Sequence, residues 1–288
     1  MRPAPVGTAF WRSRSRATGL WGGVNVLKRC VVFVFGVLVA PTVALAGAWT
    51  LPQDTGQVLT TVTVSTSTSA FDDSGRVTST PRYDKLDADI LLEYGITNDL
   101  TAIFQTGLRH IGIGSPVDAS RTGLDYTDFG ARYRFWQADG WVLSGQALLE
   151  LPGTTNRSNP AAIGYTDVEA DLRLLLGKGF TLGTMPAFVD LEVAQRQRGD
   201  GAPNELRVDG TLGVQVLPSW LILAQSFNVV SEGAGSPVFG RYDYEKFQLS
   251  AVYSLTPTWA LQGGAFTAYA GRNALQENGL IFGAWYKF

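Results

Sequence analysis

The chain is 288 residues long, 45% hydrophobic and 17% charged, with a single cysteine. So apolar a composition excludes disorder, and one cysteine excludes a disulfide scaffold or a multi-thiolate metal site. Residues 1–46 hold Arg2, Arg12, Arg14, Arg16, Lys28 and Arg29 and no acid, so the remainder is an acidic body with 17 basic against 25 acidic groups, which argues against nucleic acid as a partner.

The first element in chain order is an export signal. Lys28 and Arg29 precede an apolar run from Val31 to Ala46, and Ala44-Leu45-Ala46 ends it with small residues at the positions a signal peptidase reads. Cleavage is expected after Ala46, leaving residues 47–288 as a mature domain without cysteine. The run contains Pro41 and falls short of the ~20 apolar residues that span a bilayer as a helix.

Beyond residue 46 the pattern is alternation of period two, which puts polar groups on one face of a strand and apolar groups on the other. Lys85, Asp87, Asp89 and Glu93 alternate with Leu86, Ala88, Ile90, Leu92 and Tyr94. Glu169, Asp171 and Arg173 alternate with Val168, Ala170, Leu172 and Leu174, and Arg207, Asp209 and Thr211 with Leu206, Val208, Gly210 and Leu212. Lys246, Gln248 and Ser250 are set against Phe247, Leu249, Ala251 and Tyr253. Short turns are expected at 95–99, 137–140, 177–179, 217–219 and 256–258, taking turns with longer polar links at 71–82, 112–126, 152–165, 199–204, 232–242 and 273–278. That count predicts about twelve strands in an all-β, antiparallel transmembrane β-barrel with short periplasmic turns and longer extracellular loops.

Aromatic placement fits a membrane. Trp136, Trp141, Trp220 and Trp259 flank short turns, and Trp49 and Trp285 sit near the mature ends, which predicts a tryptophan belt at the periplasmic rim. Tyr83, Tyr126, Tyr165, Tyr242 and Tyr244 flank the long links and are expected to form the opposite belt. Leu280, Phe282, Ala284, Tyr286 and Phe288 share one face of the final strand. This resembles the signal by which outer-membrane barrels are handed to their assembly machinery, so the expected partners are outer-membrane lipid, that machinery and a small-molecule solute.

Leu92-Glu93-Tyr94-Gly95-Ile96-Thr97-Asn98-Asp99-Leu100 and Thr127-Asp128-Phe129-Gly130-Ala131-Arg132-Tyr133-Arg134 resemble segments of the outer-membrane barrels grouped as meta-pathway phenol-degradation proteins. The resemblance implies a porin-like transporter associated with aromatic catabolism, and it carries over no catalytic residue.

Catalytic chemistry finds little support in the sequence. The single histidine, His110, has no serine two positions away on its strand face, the spacing a wall-mounted hydrolase would need. No cofactor or metal is expected, since one histidine and scattered carboxylates give no ligand spacing. The lumen remains the candidate site, with Asp87, Asp89, Glu93, Asp128, Glu150, Glu169, Asp171, Asp190, Glu192 and Asp209 directed inward against Lys85, Arg109, Arg132, Arg134, Arg173, Arg207 and Lys246. Of these, Asp87, Asp89, Arg132, Arg134, Glu169, Asp171, Arg173, Asp190, Asp209 and Lys246 are expected to line a constriction, with Asp190 meeting Asp209 as like charges. Two readings of this lining stand, a charged pore for small solutes and a salt-bridged plug. A lipid-modifying enzyme of the outer membrane and a purely structural barrel are the alternatives of other classes.

Overall fold

The computed structural model describes residues 47–154, 159–161, 167–199, 201–235 and 240–288. The signal expected over residues 1–46 and the interfacial Tyr165 lie outside the described residues. Fourteen strands follow one another: β1 (Gly56–Phe71), β2 (Val77–Thr97), β3 (Leu100–Ile113), β4 (Ala119–Leu124), β5 (Thr127–Ala138), β6 (Trp141–Leu151), β7 (Glu169–Leu182), β8 (Met185–Gln197), β9 (Glu205–Leu217), β10 (Trp220–Ser231), β11 (Asp243–Ser254), β12 (Trp259–Arg272), β13 (Ala274–Leu275) and β14 (Asn278–Lys287). Twelve of them close an antiparallel barrel, because β1 pairs with β2 on one side and β14 on the other. Closure satisfies every ladder group without an open edge, the condition for strands to cross lipid. The other two are accessories: β4 folds back on the outer end of β3, and β13 makes a two-residue pairing with β1.

Side-chain exposure identifies the solvent on each face. Leu172 and Leu249 are 59% and 52% exposed on the outer wall, while Asp171 and Lys85 are 0% and 1% exposed inside. An apolar outside and a charged inside invert the arrangement of a water-soluble domain and fit a lipid-facing band. The outer face of β14 agrees, with Leu280, Phe282, Tyr286 and Phe288 all exposed.

Local chemistry sets the turns. Asp139 and Gly140 both have positive φ, 50° and 78°, the two-residue reversal whose twist suits a hairpin. The turn expected at 177–179 is displaced: β7 runs on to Leu182, and the chain reverses at Gly183 with φ 64°. Gly177 and Gly179 lie within the ladder opposite Asp190 and Phe188. Gly177 is small because the Trp49 ring lies where its Cβ would be. The polar links at 71–82 and 112–126 are also shorter than expected, since β2 extends down to Val77 and β4 pairs along β3.

The aromatic belts divide differently from the expectation. Trp136, Trp141, Trp220 and Trp259 are exposed on the outer wall beside the periplasmic turns, with Trp220 against Tyr253 and Trp259 against Tyr286. Trp285, by contrast, is buried inside the barrel. Tyr83, Tyr126, Tyr242 and Tyr244 are buried as well. Three of them, Tyr83, Tyr242 and Tyr244, pack with Phe71, Ile111, Val229 and Leu275 into a cluster that fills the extracellular end of the lumen. Tyr83 and Tyr244 are interior because each occupies the inward phase of its strand, and Tyr242, just before β11, continues that phase.

Candidate functional site

The barrel interior has three layers. At the periplasmic end Leu59, Phe188, Leu221, Leu223, Val252, Ala260 and Trp285 pack together, with Leu91 and Trp49 against them. Trp49 belongs to a segment that precedes β1 and enters the barrel from its periplasmic mouth. The Ala48 N–H donates to Asp190 Oδ1 at 2.9 Å, and the Ser144 hydroxyl donates to the Ala48 carbonyl. Arg132 Nη1 donates to the Trp49 carbonyl at 3.0 Å, and the Leu51 N–H to Thr101 Oγ1 at 2.8 Å. Nearer the rim, Thr50 Oγ1 donates to the Asn98 carbonyl at 2.7 Å and the Gln53 N–H to Asn98 Oδ1 at 3.0 Å. The Trp49 ring meets Phe188 edge-on at 6.1 Å, a favourable aromatic geometry.

The middle layer is charged and paired. On the wall formed by β6 to β9, Arg173 bonds to Glu192 and, at 2.9 Å, to Asp209, with Asp171 at 3.4 Å. Arg196 lies 2.9 Å from Glu150, 3.2 Å from Asp171 and 3.6 Å from Glu169. On the opposite wall Lys85 and Lys246 share Glu277 at 3.0 and 2.7 Å, and Ser65 donates to the same carboxylate. Arg109 pairs with Asp87 and Asp125, both at 2.7 Å. Side-chain exposures of 0–1% at Lys85, Glu277, Asp171, Glu150 and Arg196 mean that these charges touch protein, since a water-filled channel would leave them accessible. At this level the described lumen is therefore packed by paired charges.

Toward the extracellular end Arg198 bonds to Glu169, Glu205 and the Tyr242 hydroxyl, Arg207 to Glu205, and Tyr126 donates to Glu169 at 2.9 Å. The aromatic and apolar cluster above them completes the filling.

Each constriction residue expected from the sequence has a place in this frame. Asp87, Arg132, Glu169, Asp171, Arg173, Asp190 and Lys246 are buried inside, and Asp209 and Asp89 are half-buried there. Arg132 holds Glu93 at 2.9 Å beside the entering segment. Asp89 stands against Gly107 on the neighbouring strand. Arg134 is not in the constriction. The β3–β5 ladder ends at Leu100 and Tyr133, so Arg134 reaches the periplasmic rim, where it bonds to Asp99 at 2.6 Å and Gln137 at 2.6 Å. The expected contact of Asp190 with Asp209 is also corrected. Asp190 lies opposite Thr211, and it is Glu192 that faces Asp209, with Arg173 between their carboxylates.

Arg196 and Glu277 went unrecognised. Arg196 was legible as the next inward phase after Asp190, Glu192 and Ala194. Glu277 sits in a connection that read as a polar loop, and only the inward fold of β13, with Ala274 and Leu275 buried, puts it in the lumen. The inner apolar layer also had a signal, since Leu174-Leu175-Leu176 and Leu221-Ile222-Leu223 are apolar on both phases. His110 lies at the outer end of β3, with Nδ1 2.7 Å from Thr122 Oγ1 on β4.

Together these features define a β-barrel of the outer-membrane type whose described lumen is filled by its own side chains and by the segment that precedes β1. Neither a family model nor a curated protein matches the sequence. Among solved structures it is similar to an outer-membrane channel from Pseudomonas putida F1, at a TM-score of 0.67 and 16% identity over 84% of this chain and 98% of that one. The NanC porin is similar at 0.51, with 10% identity over 79% of this chain and 100% of that one. The translocator domain of the autotransporter NalP from Neisseria meningitidis also reaches 0.51, with 13% identity over 81% and 88%. At such identities the likeness establishes the fold.

Proposed function

We propose that this barrel is an outer-membrane channel for small solutes, shut at rest by residues 47–53. The observation that carries the reading is the entering segment itself. It occupies the mouth through hydrogen bonds and one aromatic side chain, a non-covalent closure that can be withdrawn, whereas a purely structural barrel needs no such insert. A twelve-strand cylinder is on the order of 24 Å across its backbone, so withdrawal of the segment clears its periplasmic layer, and passage of small molecules also needs the paired charges and the aromatic cluster beyond it to part. The similarity in fold to a channel and a porin supports the same class. For the solute we favour aromatic or organic acids. The sequence resemblance points to aromatic catabolism, and the extracellular half sets Tyr126, Tyr242 and Tyr244 among Arg198 and Arg207, a combination of ring faces and guanidinium groups suited to an aromatic carboxylate.

The test is planar-bilayer conductance of the mature protein and of a chain lacking residues 47–53. Rare openings in the first and sustained current in the second are expected. A deletion variant that assembles, shows heat-modifiable migration and still passes no current would replace the channel by a sealed barrel.

A further inference from the structure

Gly47 follows the expected cleavage site directly, and it is the deepest described residue of the entering segment. It is buried, its φ is +70°, and a Cβ built on it would fall inside the Asp190 carboxylate. Asp190 is itself 1% exposed and receives the Ala48 N–H at 2.9 Å. Its neighbour on the same strand face, Glu192, pairs with Arg173 and shares a hydrogen bond with Asp190, while Arg132 acts on Asp190 only from beyond ion-pair distance. Among the described residues no lysine or arginine forms an ion pair with Asp190, so a carboxylate enclosed beside a second acid lacks the cation that burial demands.

The geometry points to one. The nitrogen of Gly47 is a substituent of the same Cα as the hypothetical Cβ, and two such substituents are about 2.5 Å apart. That nitrogen therefore lies beside the Asp190 carboxylate, no more than about 4.4 Å from it. As a peptide nitrogen it is neutral; released by cleavage it is an α-ammonium. We propose that the amine freed at Gly47 when the signal is removed is the counter-ion of Asp190, so that maturation itself creates the charge that seats the closing segment. Peptide hydrolysis between Ala46 and Gly47 consumes one water and leaves a carboxylate on the departing signal and the ammonium on the mature chain. The inference also gives a reason for glycine at the first mature position. Any side chain there would displace the carboxylate, and the left-handed φ is open to glycine without strain.

This deepens the channel reading, since it rests on the same closing segment, but its experiment needs no current. Mature protein extracted from outer membranes is treated at neutral pH with an amine-acylating succinimidyl ester, and the N-terminal peptide is followed by mass spectrometry. The first residue is expected to be Gly47, acylated at least ten-fold more slowly in the folded barrel than in the heat-denatured chain. Asp190→Asn should restore reactivity in the folded state. Should that variant fail to assemble, a refolded chain beginning at Ala46 serves instead, because it carries its amine one residue, about 3.8 Å of chain, further from the carboxylate and should label near the denatured rate. A mature chain that starts elsewhere, or a Gly47 amine equally reactive in folded and denatured protein, overturns the ion pair. A conducting barrel with a reactive amine would retain the channel and lose the lock; a protected amine in a barrel that never conducts would do the reverse.

Discussion

Trp49→Ala is the most informative single change, because Trp49 is the largest side chain of the closing segment and the one that reaches the inner apolar layer. Its ring covers Gly177, meets Phe188 edge-on and packs against the clusters around Leu221 and Val142. A tryptophan buries 150–250 Å² when enclosed; this one is half-buried, so about 100 Å² of apolar area is lost on truncation, worth ~2.5 kcal/mol at 25 cal/mol per Å². The edge-on pair adds about 0.5–1 kcal/mol. A shift of about 3 kcal/mol in the equilibrium between seated and withdrawn segment corresponds to roughly a hundred-fold change. Single-channel recording should thus show the open probability rising by about two orders of magnitude with unit conductance unchanged. Thr50→Ala, which removes one exposed hydrogen bond to the Asn98 carbonyl, should move it by less than about five-fold. Gly177→Ala should act like Trp49→Ala, since its methyl would displace the indole while leaving β7 paired. If Trp49→Ala opened no more often than wild type while deletion of residues 47–53 gave full current, the energy of closure would reside elsewhere in the segment and this reasoning would fail.

Three further outcomes are expected. Arg196→Met withdraws the cation shared by Glu150, Glu169 and Asp171, and leaving those buried carboxylates without it should lower stability by about 3–5 kcal/mol, read as a lower temperature of the heat-modifiable transition. In the loop between β1 and β2, the Ser74 hydroxyl and the Arg76 N–H hold the Asp72 carboxyl down to about 2 from an ordinary 3.8. A depressed carboxyl stabilises above its unfolded value and ceases to as pH falls through its folded value, so amide protection at Ser74 and Arg76 should persist at pH 5 and fade between about 4 and 2, with the transition absent in Asp72→Asn. Loss of Phe288, whose ring covers Gly56 and whose backbone exchanges two hydrogen bonds with it at 2.8 and 3.0 Å, should cut outer-membrane levels far beyond the ~2 kcal/mol of local burial involved; normal levels of a chain ending at Lys287 would count against a terminal assembly signal.

How far the sequence revealed this molecule depends on which physical constraint each residue expresses. Period-two alternation fixes the face of a side chain, and it placed Asp171, Arg173, Arg207 and Lys246 inside and Leu172, Leu206 and Phe247 outside without reference to any partner. Alternation does not fix register. Sliding one strand by two residues preserves every face and changes every cross-strand neighbour, which is why the sequence set Asp190 against Asp209 when the ladder sets Glu192 there. The tyrosines beside the long links show a second limit. An amphipathic ring favours the membrane interface, but Tyr83, Tyr242 and Tyr244 occupy inward phases, and strand phase outweighs interfacial preference because reversing it would turn a whole strand's charges toward lipid.

The entering segment was invisible for a different reason. Its contacts join Ala48 to Asp190 and Trp49 to Arg132, partners separated by 142 and 83 positions, and they are made through backbone amides and carbonyls that every residue carries. Only two of its residues betray the role by identity, Trp49 by bulk and Gly47 by the absence of it. Trp49 read as an interfacial anchor because a tryptophan near a barrel terminus suits either solvent boundary. What separates the two readings is Gly177, whose missing side chain read as a turn and proves to be the floor on which that indole lies. A glycine within a continuous strand marks a close approach, and here the approaching group comes from the segment that precedes β1.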